Sequence, residues 1–405
     1  MDLDAFAETA PGSLVKINGT DPRRGAWAHM AFVPDPLPVE SPNLTGPTYR
    51  AVADARAALA ALDSTARRLP NPRLFRRPSL RAEAQSTSAL EGTYAPLAEV
   101  LTADEERPQS VDMREVLNYV VMAENAFGWV EQGRPLTVNM LEHLQQILVQ
   151  QTKAEGPSSG KLRDHQVVVG QRGDAQPGDF PVHAARFVPS PPGLDLQANL
   201  RDLLGWMADR ETGQHIDPVV AAALAHYQFE TLHPFHDGNG RIGRMLIVIH
   251  LFEQGTLLEP TLTVSPWFEA HRSEYYDYLF AVSTEAAWDP YVRFFAQGLE
   301  ASAKRTHDRM LTLVGIQSEM KEKVRKSKLR ADTAHNLVDF AVSNISFTVR
   351  AVEKGLQLSY GRANSLVGQL VELGVIAPLG TQSGGTRRFY APEVYNVLVG
   401  EETGR

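Results

Sequence analysis

From Tyr49 onward, apolar residues recur three and four positions apart over most of the chain. The Ala-rich segment Ala51 to Leu69, and the segments Val111 to Gln132, Asn139 to Gln151 and Gln197 to Arg210, all carry this spacing and are separated by Pro or Gly. The pattern predicts a mainly α protein built as a helical bundle. Residues 1–48 are rich in Pro and Gly with little periodicity, which predicts an extended, loosely packed N-terminal arm. One segment breaks the helical pattern. Between Lys161 and Pro192 lie a β-branched run at Val167 to Val169, a middle rich in Gly, Asp and Pro, and a second short apolar run at Phe187 and Val188. A small β-hairpin with a long loop, residues 160–192, is the reading that fits.

The helical period is clearest on either side of His233 to Arg244, which reads HPFHDGNGRIGR. Val220, Leu224 and Tyr227 share a face before it, and Ile242, Met245, Leu246, Ile249 and Phe252 share one after it, so the run is a helix–loop–helix junction. A long helical stretch follows from Pro290 to about Arg330. Thr333 to Leu398 then offers helices at Ala334 to Val342, Thr348 to Leu356 and Arg362 to Leu373, with a Ser/Thr start at Ser346 and a turn at Ser359 to Gly361. Strands around Val375-Ile376 and Arg388 to Tyr390, split by GTQSGG, complete the element order of a winged helix. The expected organisation is a helical region over 49–110, a core over 111–300, a linking helix over 301–332 and a winged-helix domain over 333–398.

Composition narrows the chemistry. At 405 residues and 43% hydrophobic content the chain suits two or three domains with cores of their own. It holds no Cys, which removes disulfides, thiolate metal sites and cysteine nucleophiles. No run reaches the ~18 consecutive apolar residues of a membrane helix, and the start MDLDAFAETAPG is acidic, so a cytoplasmic, non-membrane protein is expected. A net charge of −8 argues against whole-protein binding of polyanions and leaves the basic run Lys321 to Arg330 as a local contact or a solvated face.

Asp237 to Arg241 opens a helix, whose first turn presents unpaired N–H groups and partial positive charge. Gly238 and Gly240 let a phosphate approach the backbone, Asn239 offers a side-chain amide, and Arg241 and Arg244 offer guanidinium forks. A polyphosphate fits this cradle. Its Mg²⁺ prefers one or two carboxylates with phosphate oxygens and water, which makes Asp237 the metal candidate. His233 can accept a proton from an incoming hydroxyl as a neutral imidazole.

These residues resemble the Fic signature, H-x-F-x-[DE]-G-N-G-R-x-x-R, at every defined position from His233 to Arg244. The resemblance implies a Fic-type helical bundle and transfer of AMP from ATP to a Ser, Thr or Tyr hydroxyl of a protein. It implies His233 as base, Asp237 as Mg²⁺ ligand, and Gly238, Asn239, Gly240, Arg241 and Arg244 as phosphate binders. Arg163, Gln166, Val169-Gly170 and Ala185-x-Phe187-Val188-Pro189 look like the family's flap, which aligns a target segment by strand addition. Val169 and Gly170 are thereby placed at the nucleotide, and Tyr275 at its base, although Ser283 stands where relatives often have Asn. Upstream, Thr87, Glu91 and Gly92 resemble the inhibitory [S/T]-x-x-x-E-[G/N] motif on an N-terminal helix of one Fic subclass; pairing of Glu91 with Arg244 would hold the enzyme idle.

Competing readings are of different kinds. Gly238 to Gly243 also satisfies G-x-G-x-x-G, but the preceding segment is helical rather than a strand. An HD-type metallohydrolase using His236-Asp237 with His215, His226 and His233 leaves Asn239, Arg241 and Arg244 without a role, and the Fic pattern leaves His236 variable. The same site could instead remove AMP from a modified target, or serve a DNA-binding regulator that senses nucleotide. Self-modification, a homodimer, and a DNA or protein contact through the winged helix stay open.

Overall fold

A computed structural model describes residues 1–22, 24–68, 71–104, 107–209, 215–329, 332–381 and 387–400. Leu69, Arg210 and Arg330, which close three of the expected segments, and Gln382 to Gly385 of the GTQSGG turn lie outside these residues. The fold is mainly helical, with two two-stranded sheets and one three-stranded sheet among the described residues. It divides into two compact units.

The first unit comprises Met1–Leu59, Val121–Leu257 and Trp267–Ala301. It opens with a correction to the expected arm. Strands β1 (Gly12–Asp21) and β2 (Gly25–Pro34) pair antiparallel from Gly12↔Pro34 to Asp21↔Gly25. The flanking Pro and Gly hide this in the sequence, because the apolar residues of the two strands find their partners elsewhere. Met1, Ala31 and Phe32 form one core cluster with Val182, Ala185, Phe187 and Val188, and Phe32 N–H donates to Val188 O at 2.9 Å.

The predicted hairpin of 160–192 is present as β3 (Val169–Gln171) against β4 (Ala185–Phe187), with a short helix, Pro181–Ala184, in its loop. Strand β3 begins at the last residue of the β-branched run.

The centre of this unit is a pair of helices, Pro218–Leu232 and Asn239–Glu253. Asp217 caps the former through Val219 N–H at 2.8 Å, with Pro218 in the first helical position. Nearly every residue of both helices is buried, on all faces. A helix so enclosed takes its place from packing rather than from an amphipathic stripe. Around them lie Val138–Val149, Leu194–Ala208 and Arg272–Glu285.

The second unit comprises Ala60–Val120, Leu258–Pro266 and Ser302–Arg405. Helix Arg76–Leu90 is buried along most of its length. Its Arg81 guanidinium donates to Val100 O, Leu101 O and Ala103 O at 2.7, 2.9 and 3.3 Å, satisfying carbonyls at the C-terminal end of helix Leu97–Thr102. Glu83 accepts from Ser265 N–H at 3.0 Å.

Helix Trp288–Lys326 is continuous, so the expected 300/301 boundary falls within a single element. After it come helix Asp332–Ser343, β5 (Ser346–Thr348), helices Val349–Gly355 and Tyr360–Glu372, β6 (Ala377–Thr381), β7 (Arg387–Tyr390) and helix Pro392–Val399. The sheet order is β5-β7-β6, antiparallel throughout. Ser346, read as a helix start, is a strand residue; Thr348 is the cap, accepting from Ala351 N–H at 3.1 Å. The first hairpin strand lies at Ala377–Thr381, just beyond the expected Val375-Ile376.

Candidate functional site

Helix Pro218–Leu232 ends at His233, which takes a left-handed conformation (φ 49°, ψ 59°) while its N–H closes the last turn on Phe229 O at 3.0 Å. That conformation is uncommon for a residue with a Cβ and turns the chain sharply out of the helix. His233 Nδ1 lies 3.3 Å from Glu230 O. With the proton on Nδ1 donated there, Nε2 becomes the ring's acceptor. His233 is half-buried.

Phe235 is 0% exposed and anchors the loop in the core, a burial contributing about 2–3 kcal/mol. Asn239 holds the turn shut. Its Oδ1 accepts from Phe235 N–H and its Nδ2 donates to Phe235 O, both at 2.8 Å. This revises the expected role of Asn239, because both amide atoms are engaged by the loop itself instead of facing a phosphate.

Gly238 (φ 89°) is the N-cap of helix Asn239–Glu253, and a Cβ there would lie 2.7 Å from Leu148 Cδ2. The next three residues, Asn239, Gly240 and Arg241, therefore begin a buried helix whose first N–H groups have no intrahelical acceptor. Asp237, 46% exposed, forms an ion pair with the buried Arg241. A half-exposed carboxylate at a helix N-terminus is a hard oxygen donor of the kind Mg²⁺ takes, with phosphate and water supplying the rest. Arg244 is 1% exposed. Gly243 sits against the Glu230 carboxylate, leaving no room for a Cβ.

Arg163 ties the flap to this loop. Its N–H donates to Pro234 O at 3.0 Å, its Nε to His233 O at 2.7 Å and its Nη2 to Leu232 O at 3.3 Å and to Ser190 O. Burial lowers its pKa to about 10. Gln166 Nε2 donates to Pro189 O at 2.8 Å. Val169 and Gly170 lie on β3, with Gly170 exposed at φ 63°. Val188 O, just past the end of β4, is taken by Phe32 N–H, and β3 pairs with β4 alone among the described strands. Strand β3 is thus an edge strand among the described residues.

Tyr275, which the resemblance put at the nucleotide base, is a core residue. It is 1% exposed, its hydroxyl is 2.7 Å from His226 Nε2, and its ring packs against His226 and Phe268. Burial raises its pKa well above the ordinary tyrosine value. Ser283 is buried as well, with its Oγ 3.0 Å from Tyr227 OH.

Gln145 escaped the sequence reading. From helix Val138–Val149 it donates to Asp237 O at 3.3 Å and accepts from Gly160 N–H at 2.6 Å, joining the loop to the start of the flap segment. A lone Gln on a helix gives no signal of this.

In the second unit, Thr87 is fully buried in the last turn of helix Arg76–Leu90, Glu91 is its exposed C-cap and Gly92 follows at φ 89°. Gly92 N–H donates to Ala89 O and Thr93 N–H to Ser88 O, at 3.0 and 2.9 Å, so the glycine ends the helix at Glu91. Of the basic run, Lys321 pairs with Asp339 at 2.6 Å, Lys323 with Glu393 at 2.8 Å, and Arg325 and Lys326 with Glu322. No helix among the described residues is long and apolar enough to cross a membrane.

A family model for the Fic/DOC N-terminal region matches residues 49–128, and one for the Fic/DOC family matches residues 135–251. Protein adenylyltransferase fic-1 of Caenorhabditis elegans is 34% identical over 149 residues, 36% of this chain and 27% of that protein. Protein adenylyltransferase Fic of Culex quinquefasciatus is 35% identical over 142 residues, 34% of this chain and 27% of that protein. The matched stretch thus spans about a quarter of the length of these relatives. A solved Fic family protein from Desulfovibrio desulfuricans G20 superposes with a TM-score of 0.53 at 20% identity, covering 87% of this chain and 98% of that one, a likeness of fold.

Proposed function

From the premise that this chain is a Fic-domain protein, carrying both the N-terminal and the Fic regions of the Fic/DOC family, we propose that it transfers AMP from ATP to a Ser, Thr or Tyr hydroxyl of a protein. The observation that carries the reading is the junction from His233 to Arg244. An imidazole with Nδ1 engaged by its own helix stands one rigid loop ahead of a buried helix N-terminus.

The polyphosphate lies at the first turn of Asn239–Glu253, where the Gly238 backbone permits close approach and Arg241 and Arg244 supply positive charge. The target segment adds to the open edge of β3 and presents its hydroxyl to His233. Nε2 of His233 takes the hydroxyl proton as the oxygen bonds to the α-phosphorus, and the bond from that phosphorus to the bridging oxygen breaks to release pyrophosphate. Mg²⁺, when held by Asp237, would neutralise phosphate charge. Val169 and Gly170 border the same edge and position substrate, while Asn239 keeps the loop in shape.

Autoinhibition by Glu91 belongs to the same reading. Gly92 stops the helix where Glu91 can project a carboxylate, and pairing with Arg244 would withdraw that guanidinium from the γ-phosphate. The test is incubation of the purified chain, its Glu91→Gly variant and the Glu91→Gly/His233→Ala double variant with Mg²⁺ and α-labelled ATP. Protein-bound label should rise in the first variant and fall by about 10²–10⁴-fold in the second. Label undiminished by His233→Ala would remove His233 as the base. Intact mass distinguishes an added AMP from an added phosphate.

A further inference from the structure

A second cluster of ligating groups joins His236, the motif-loop residue directly before Asp237, to Asp164 and His165. The rings of His165 and His236 stack with centroids 3.9 Å apart and planes 24° apart. The Asp164 carboxylate touches both: Oδ1 is 2.9 Å from His165 Nδ1 and 3.3 Å from His236 Nε2. One donor atom from each of the three residues falls within 4.8 Å of the others.

The two backbones that bring them together are held rigidly. Asp164 and His165 follow directly on Arg163, which is bonded to the carbonyls of Leu232, His233 and Pro234. His236 follows directly on the fully buried Phe235. The His236 side chain is only 20% exposed, and among the described residues its Nδ1 has no hydrogen-bond partner and its Nε2 has only the Asp164 carboxylate at 3.3 Å, outside good hydrogen-bond geometry. Buried polar atoms of this kind ordinarily have partners. Asp164 and His165, by contrast, are exposed, with side-chain exposures of 78% and 70%.

We propose that Asp164, His165 and His236 bind a divalent transition-metal ion of the zinc type. Two imidazoles and one carboxylate are the donor set of zinc sites with three protein ligands, whose fourth position is left to water. Bonds of about 2.0–2.2 Å to a common ion place any two donors no more than about 4.4 Å apart, which the exposed pair reaches by side-chain rotation. The imidazoles separate this site from Asp237, whose lone carboxylate suits the harder Mg²⁺. A bound ion would fasten the segment leading into the flap to the motif loop, and its binding does not depend on the reaction proposed above.

Equilibrium dialysis of the full chain against Zn²⁺ in excess Mg²⁺, without nucleotide, tests this. About one Zn²⁺ per chain should be retained. His165→Ala and His236→Ala should each weaken binding by about tenfold or more, at least as much as losing a hydrogen-bonded partner of a ligand. His143→Ala, an exposed control, should leave it unchanged. Co²⁺ substitution should give visible absorption in the parent that the two site variants lack, and Zn²⁺ should raise the melting temperature of the parent and of His143→Ala but not of the site variants. His236→Gln, which keeps the size of the side chain, serves if His236→Ala does not fold. Equal Zn²⁺ affinity in parent and the His165→Ala/His236→Gln double variant would overturn the proposal, as would no Zn²⁺ retention by the parent.

Discussion

Asn239 and Phe235 close a reciprocal pair in which the side-chain amide of one satisfies both backbone groups of the other, each bond at 2.8 Å. The turn between the two central helices is therefore built from a residue that also belongs to the helix it opens. Asn239→Ala would leave a buried N–H and a buried C=O without partners. The expected cost is about 2–4 kcal/mol, and Asn239→Asp, which keeps only the acceptor, should cost about half of that. Urea denaturation measures both. Unchanged stability in Asn239→Ala would show that the loop does not depend on this pair.

Gly238 combines a left-handed backbone with a close neighbour, so two separable penalties attach to a side chain there. Gly238→Ala should cost about 2–4 kcal/mol in the parent, part from φ and part from the contact with Leu148. In a Leu148→Ala background the contact is gone and about 1–2 kcal/mol should remain. A double-mutant cycle with no coupling would sink the assignment of the contact.

Arg163→Lys keeps the charge but loses the fork that reaches Leu232, His233 and Ser190 together. Hydrogen bonds from a charged donor contribute about 1.5–3 kcal/mol each, so a loss of about 3 kcal/mol is expected. Amide exchange at Val169 to Gln171 should quicken more than exchange in helix Leu194–Ala208. Equal acceleration in both segments would mean that Arg163 supports the whole unit and not the flap in particular.

Burial lowers the pKa of His226 to about 3, with Arg244 adding to the effect, and burial alone lowers that of His250 to about 4. Both values lie below the ordinary 6.5. Between the folded and unfolded pKa values the unfolded chain binds the proton and the folded chain does not. Stability should therefore be full above about pH 6.5 and fall as the pH drops, by about 1.4 kcal/mol per pH unit for each histidine. Among the described residues neither ring nitrogen of His250 has a hydrogen-bond partner, and the ring stacks on Trp206. His250→Phe should thus preserve the packing while removing about one proton from the slope between pH 6 and 4.5. An unaltered slope would contradict the burial of His250.

Legibility varied with the range of the interactions involved. The helices on either side of His233 to Arg244 were readable because the period of their apolar residues is local, and so were the flap strands, marked by Val167 to Val169 and Phe187-Val188. The hairpin Gly12–Pro34 was not, since Ala31 and Phe32 complete a core with Val182 and Phe187, far along the chain. Strand Ser346–Thr348 was missed for a similar reason: its partner is Arg388–Tyr390. Gln145 gave no signal, because its two contacts, with Asp237 and Gly160, come from separate segments.

By itself, the sequence determined the identity and order of the groups at the junction: a histidine, an acid, glycines where the backbone turns, and two arginines on one new helix. These follow from residue type and short-range spacing, which act over a turn or two of chain. Only the tertiary structure decided what each group faces. It turned Asn239 onto Phe235, took Tyr275 into the core against His226, bound Arg163 to the loop carbonyls and brought His165 against His236. The physical reason is that buried polar atoms must find partners, and which partners are within reach is settled by packing between segments distant in sequence.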